Sequence, residues 1–156
     1  MKKPLVLAVT HLATLAVGFA IGVYTLPILT APTPPTAMAV QSAAKVAQFS
    51  GTFRRDLKDS DALHWGEGRV SVGAKAISLE GEVSPGPDYK LYLLPEFVET
   101  EADFARLKPQ AVRVGDVKTF RNFIVEVPDG VDVTRYTTVL VWCERFSQFI
   151  TAAKYR

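Results

Sequence analysis

From Leu5 to Leu29 the chain runs for 25 residues without a formally charged side chain, and this run divides it in two. As an α-helix rising about 1.5 Å per residue, the run spans a bilayer core of roughly 30 Å with room for tilt. A cleavable signal peptide has a shorter apolar core of about 7–15 residues, so length favours an uncleaved anchor. The cleaved alternative stays open, because "TAMA" ends a small-residue site at Ala39. Lys2 and Lys3 precede the run and the next basic residue is Lys45. The positive-inside rule therefore leaves the N-terminus in the cytoplasm and the remainder outside. A Lys-Lys start of this kind reads as bacterial. The expected location is the inner membrane, single-pass, with the C-terminal domain in the periplasm.

Two features inside the run carry functional readings beside plainer ones. Gly18 and Gly22, with Thr14 one turn earlier, form a small-residue stripe that suits helix packing, although glycine is common in membrane helices. His11 is an intramembrane ionisable residue, but nothing beside it marks a haem or proton path, and a structural role is the simpler expectation. After the run, "TAPTPPTAMAVQSAA" contains three prolines that cannot continue a helix and favour an extended spacer. The expected organisation is an anchor over residues 1–29, a Pro/Ala-rich linker over 30–45 and a β-rich domain over 46–156.

From Val46 onward the pattern changes to short runs separated by Gly, Pro and Asp. "GRVSVG" puts Val70 and Val72 on one face, and "AISLEGEV" does the same with Ile77 and Leu79. "AQFSGTFRR", "YKLYLLP", "AVRVG", "FRNFIVEV", "TTVLVWCERF" and "QFITAA" read as further strands. "SPGPD", Ser84 to Asp88, is a strong turn signal in which Gly86 is expected to need a positive φ. "TEADFARL" is the one helical piece, with Thr100 as N-cap and acids in its first turn. About eight short strands at this spacing predict an all-β fold, an antiparallel sandwich or barrel, behind one N-terminal transmembrane helix.

Charge and composition remove whole classes of function. Setting aside Lys2 and Lys3 from the 18 basic residues leaves 16, equal to the 16 acidic ones, so the domain is formally neutral. That charge distribution gives no footprint for nucleic acid. A single cysteine allows no internal disulfide, no Cys-x-x-Cys and no thiolate zinc cage, and the sequence requires no metal. His64 is the domain's one histidine. No nucleophile-elbow sequence and no glycine-rich phosphate loop is present, so hydrolase and kinase readings have no support.

Cys143 is then the residue on which chemistry turns. In "VLVWCERF", Val139, Val141, Cys143 and Arg145 share one strand face, and Leu140, Trp142, Glu144 and Phe146 the other. Both faces are apolar until Glu144, which predicts that the strand leaves the core there with Cys143 at the rim. A guanidinium two residues further on the same face is expected to lower the thiol pKa, making Arg145 a thiolate stabiliser. The alternative is that Cys143 is a small apolar side chain filling the core.

These residues also carry a resemblance. "FSGTF", "LHWGEGRVSV", "SPGPDYKLYLL" and "VLVWCERFSQF", in that order over about Gln48 to Ala153, are similar to the DM-thirteen domain family. This is a small β-rich extracytoplasmic module described as an electron-transfer domain and often found beside DOMON domains. The resemblance implies that Cys143 is the redox cysteine, and that His64, Gly68, Gly86, Pro87, Asp88, Trp142 and Phe146 occupy signature positions. The sequence departs from the pattern at its end. A glycine is expected after the last Phe, and Ile150 and Thr151 follow Phe149.

Two readings follow. In the first, the chain is a membrane-anchored electron-transfer accessory rather than an enzyme. Cys143 acts either as a ligand to haem or a metal, with His64 as second ligand, or by thiol exchange with an envelope redox protein. The cofactor is unknown. In the second, the domain is a non-catalytic binding or assembly module with Cys143 as packing. Both need the same topology. A reporter fused after Arg156 is expected to be active only outside the cytoplasm, and cytoplasmic activity alone overturns the export expectation. A mature N-terminus near Val40 overturns the anchor only.

Overall fold

The computed structural model describes residues 2–156. Helix α1, Lys2–Thr30, is apolar on every side and buries none of its residues in protein. It is long and apolar enough to cross a membrane by length and composition. Polar side chains within it turn back on their own helix. The His11 Nδ1 donates to the Leu7 carbonyl at 2.7 Å, and the Thr14 and Thr25 hydroxyls donate to carbonyls one turn earlier. His11 is therefore satisfied locally, as the structural reading expects.

Eight strands follow: β1 Phe49–Phe53, β2 Gly66–Val72, β3 Ala76–Val83, β4 Tyr89–Leu94, β5 Val112–Val117, β6 Arg121–Glu126, β7 Thr138–Cys143 and β8 Gln148–Lys154. They form two antiparallel four-stranded sheets, ordered β1-β2-β3-β6 and β5-β4-β7-β8, packed as a sandwich rather than a closed barrel. The two sheets approach each other along one edge. A Cβ on Gly51 of β1 would lie 2.6 Å from the Lys154 carbonyl oxygen of β8, so only glycine lets these backbones come so close.

Alternation places the core as expected. Val70, Val72, Ile77 and Leu79 of one sheet meet Leu91, Leu93, Val139, Val141 and Cys143 of the other. The opposite face of the second sheet is also covered. Tyr92, Leu94, Leu140, Trp142 and Phe149 pack beneath Leu57, Val98, Phe104 and Leu107 in a second apolar cluster. Phe104 and Leu107 come from α3, Glu101–Leu107, the one helix predicted inside the domain. Ile150 and Thr151 are both fully buried, and the space for Thr151 comes from across the sandwich. A Cβ on Gly66 would lie 2.5 Å from its methyl group.

The linker differs from an extended stalk. Residues 31–36 are irregular, but Ala37–Lys45 form helix α2, capped by the Thr36 hydroxyl, which accepts from the Ala39 N–H. This helix lies on β2, β3 and β6 with Val40 buried. Gln41 donates to Glu80 at 3.1 Å, and the Asn122 amide donates to the Pro35 carbonyl at 3.3 Å. Small residues let the helix sit close to the sheet, and no strong apolar periodicity announces it. At α3, the Thr100 hydroxyl accepts from the Asp103 N–H at 3.1 Å. Removing that acceptor by Thr100→Ala is expected to cost about 1 kcal/mol, read as a melting temperature several degrees lower. An unchanged melting temperature would show that the cap is dispensable.

Candidate functional site

Cys143 ends β7 and pairs in register with Tyr89, which begins β4. Directly opposed residues on neighbouring strands point to the same face with Cβ atoms about 5 Å apart, so thiol and phenol are neighbours. "SPGPD" brings the chain from β3 in one sheet to β4 in the other and folds over this pair. Gly86 does not have a positive φ, contrary to expectation. Its requirement is steric, because a Cβ there would overlap the Tyr89 ring. The phenol is buried, stands edge-on to Phe120 and has only Ser84 Oγ near its hydroxyl, at 3.5 Å.

His64 enters from the connection between β1 and β2. The Asp61 carboxylate accepts from the Leu63 N–H at 2.6 Å, the His64 N–H at 2.8 Å and the His64 Nδ1 at 2.9 Å. These bonds, the His64 side chain's first, hold the Asp61 carboxyl below the usual carboxylate range. A carboxylate only accepts, so the His64 Nδ1 carries the proton of this bond.

These groups line one cavity of about 280 Å³. Pro85, Gly86 and Pro87 form one wall, Leu63 and His64 another, and Cys143, Phe146 and Ile150 a third. Phe19, Ala20, Val23 and Tyr24 of α1 line its remaining, partly open side. Among the described residues no charged side chain lines it.

The structure corrects the expected state of the thiol. The strand stops at Cys143, so Arg145 lies in the exposed β7–β8 turn and not on the strand face. Cys143 is 2% exposed. Burial pushes its thiol above the ordinary range, the nearby Asp88 carboxylate adds to this, and backbone N–H groups of the turn offset only part of it. Glu144 turns away to the other side of the sheet, where Lys108 donates to it at 2.8 Å and the Tyr92 hydroxyl also donates. Burial alone would raise the Glu144 carboxyl, but these two bonds outweigh it and hold it low.

Sequence reasoning singled out Cys143, His64 and Arg145. The fold brings the first two to one cavity and leaves Arg145 outside it. It missed Tyr89, Asp61 and the contribution of α1. The spacing of Asp61 and His64 is that of an Asx-type turn, which was available as a signal. The pairing of Tyr89 with Cys143 needed the strand register. Among the described residues no three His, Cys, Asp or Glu side chains form a metal-binding group.

The raised thiol pKa fixes a pH dependence. The folded chain holds this proton more tightly than the unfolded chain, so the contribution to stability is full below the ordinary value and is lost as pH rises through the raised one. Between about pH 9 and 10, wild type is expected to lose more stability in urea titrations than Cys143→Ala. Iodoacetamide should label the thiol only after denaturant is added. Equal labelling of folded and denatured chains would contradict the burial.

Among known families, the one described as electron transfer DM13 matches residues 44–155. Comparison with curated proteins and with solved structures returned no match.

Proposed function

The chain belongs to the electron transfer DM13 family, and from that premise we propose that it is a membrane-anchored extracytoplasmic domain with a redox role at Cys143. The convergence of Cys143, Tyr89 and His64 on one apolar cavity is the observation that carries the reading. Family membership supplies the class of chemistry, and the cavity supplies a place for it. The thiol works there as a neutral group facing a bound redox partner. Exchange with a passing protein thiol needs an exposed thiolate, which burial disfavours.

Anchoring is supported by the length and hydropathy of α1. Lys2 and Lys3 at its start, with no further basic residue before Lys45, support an outward-facing domain, in a bacterium the periplasm. A second reading, a binding module with Cys143 as packing, is favoured by the 2% exposure of that residue.

The two readings separate in one experiment. The full chain, purified with its native lipids, is titrated against redox mediators beside Cys143→Ser. The redox reading expects a reversible response that Cys143→Ser abolishes or shifts while the melting temperature holds. A serine variant that is destabilised, by about 1–3 kcal/mol for an unpartnered buried hydroxyl, yet keeps the wild-type response makes the cysteine packing.

A further inference from the structure

We infer that the Cys143 cavity takes its ligand from the bilayer, and that this ligand is a neutral, lipid-tailed ring of the quinone class. The inference rests on the anchored electron-transfer reading above and adds the identity and route of the ligand.

The route comes from helix α1. Its cavity-lining residues, Phe19 to Tyr24, lie 17 to 22 positions beyond Lys2. At about 1.5 Å per residue they stand roughly 26–33 Å along the helix from Lys2. With Lys2 at the inner boundary, that is the outer edge of a hydrocarbon core about 30 Å thick. The cavity is therefore bordered by the part of the helix where lipid tails meet headgroups. Beyond α1, the exposed large apolar side chains among the described residues are Met38, Val46, Leu63, Phe97 and Phe146. Two of these, Leu63 at 56% and Phe146 at 53%, line this same cavity. Apolar side chains left bare around a cavity mouth suit contact with lipid rather than water.

The class of ligand comes from the lining. With no charged side chain present, an anionic or cationic ligand would lose its hydration without compensation. The polar side chains in the lining are Tyr24, His64, Tyr89, Cys143 and Gln148, and the Gln148 amide already donates to Glu101. The Tyr89 hydroxyl has one long contact, Ser84 Oγ at 3.5 Å, at the limit of a hydrogen bond. A phenol held by one long bond can still donate to a ring carbonyl oxygen, and the Cys143 thiol beside it is a second, weaker donor. The volume of about 280 Å³ lies at the lower end of the range for small-molecule sites, room for one or two fused rings. A lipid tail would leave between α1 and the Leu63–Phe146 rim.

The test uses the full chain in phosphatidylcholine nanodiscs, with decylubiquinone as probe. Its ring is fully substituted and does not add thiols. Quenching of Trp65, adjacent to His64, reports occupancy. The expected result is saturable quenching, weakened at least tenfold by Ala20→Phe, which fills the cavity from α1, and several-fold by Tyr89→Phe. Melting temperatures check that both variants are folded, and either one suffices for the comparison. Quenching that rises linearly with quinone in the bilayer, or that is equal in wild type and both folded variants, overturns the proposal. So does a phospholipid that remains bound, by mass spectrometry, at saturating quinone. The Cys143→Ser variant separates this result from the redox reading. Quinone binding that persists in a variant with an unchanged redox response refutes the role of the cysteine and leaves the ligand assignment standing. A Cys143-dependent response without saturable binding does the reverse.

Discussion

Strand β7 is buried on both faces, and the domain is arranged around that fact. All six residues from Thr138 to Cys143 are buried. Val139, Val141 and Cys143 face the opposing sheet, while Leu140 and Trp142 face outward and need a cover of their own. Each such side chain removed from water contributes on the order of 1.5–3 kcal/mol, so neither face can be left open. Helix α3 and the segment around Leu57 and Val98 supply the outer cover. The same burial sets where the strand stops. Glu144 is the first residue with a charge to solvate, and it turns out toward Lys108. Cys143 is thereby the last buried position, at the point where the sheet meets the cavity.

The architecture was legible because period-two alternation is a direct image of which face is buried. It separated Leu140 and Trp142 from Val139, Val141 and Cys143, and the eight strand-like runs became eight strands. What stayed hidden depends on contacts distant in sequence. Arg145 shares a face with Cys143 only if the strand continues, and it does not. The glycine at position 86 carries a turn signature, but its reason is a tyrosine ring three residues on. Helix α2 is a short run of alanines after prolines, with one large apolar anchor in Val40. Nothing local distinguishes it from a spacer. The bordering of the cavity by α1 is a tertiary event that composition cannot display.

Around the neutral cavity, charges are paired outside it. Lys90 bridges Asp88 at 2.7 Å and Asp116 at 3.0 Å, and Arg113 also reaches Asp116. Arg55 stacks on Trp65 with its guanidinium carbon 3.3 Å from the ring centroid and pairs with Glu67. Asp61 is committed to His64. These cations are engaged with acids or rings rather than with sulfur, which leaves desolvation to govern the thiol. The polarity of the cavity is thus set by what the pairs withhold from it.

Helix α2 has a temporal consequence. The small-residue site ending at Ala39 falls within its first turn, where the Ala39 N–H is bonded to Thr36 and the next residue is Val40. A cut after Ala39 would sever the helix from its cap and create an ammonium group at a residue that is 1% exposed. A peptidase that reads extended backbone must therefore act before this turn winds onto β3. Once the turn is wound, the scissile bond is withdrawn.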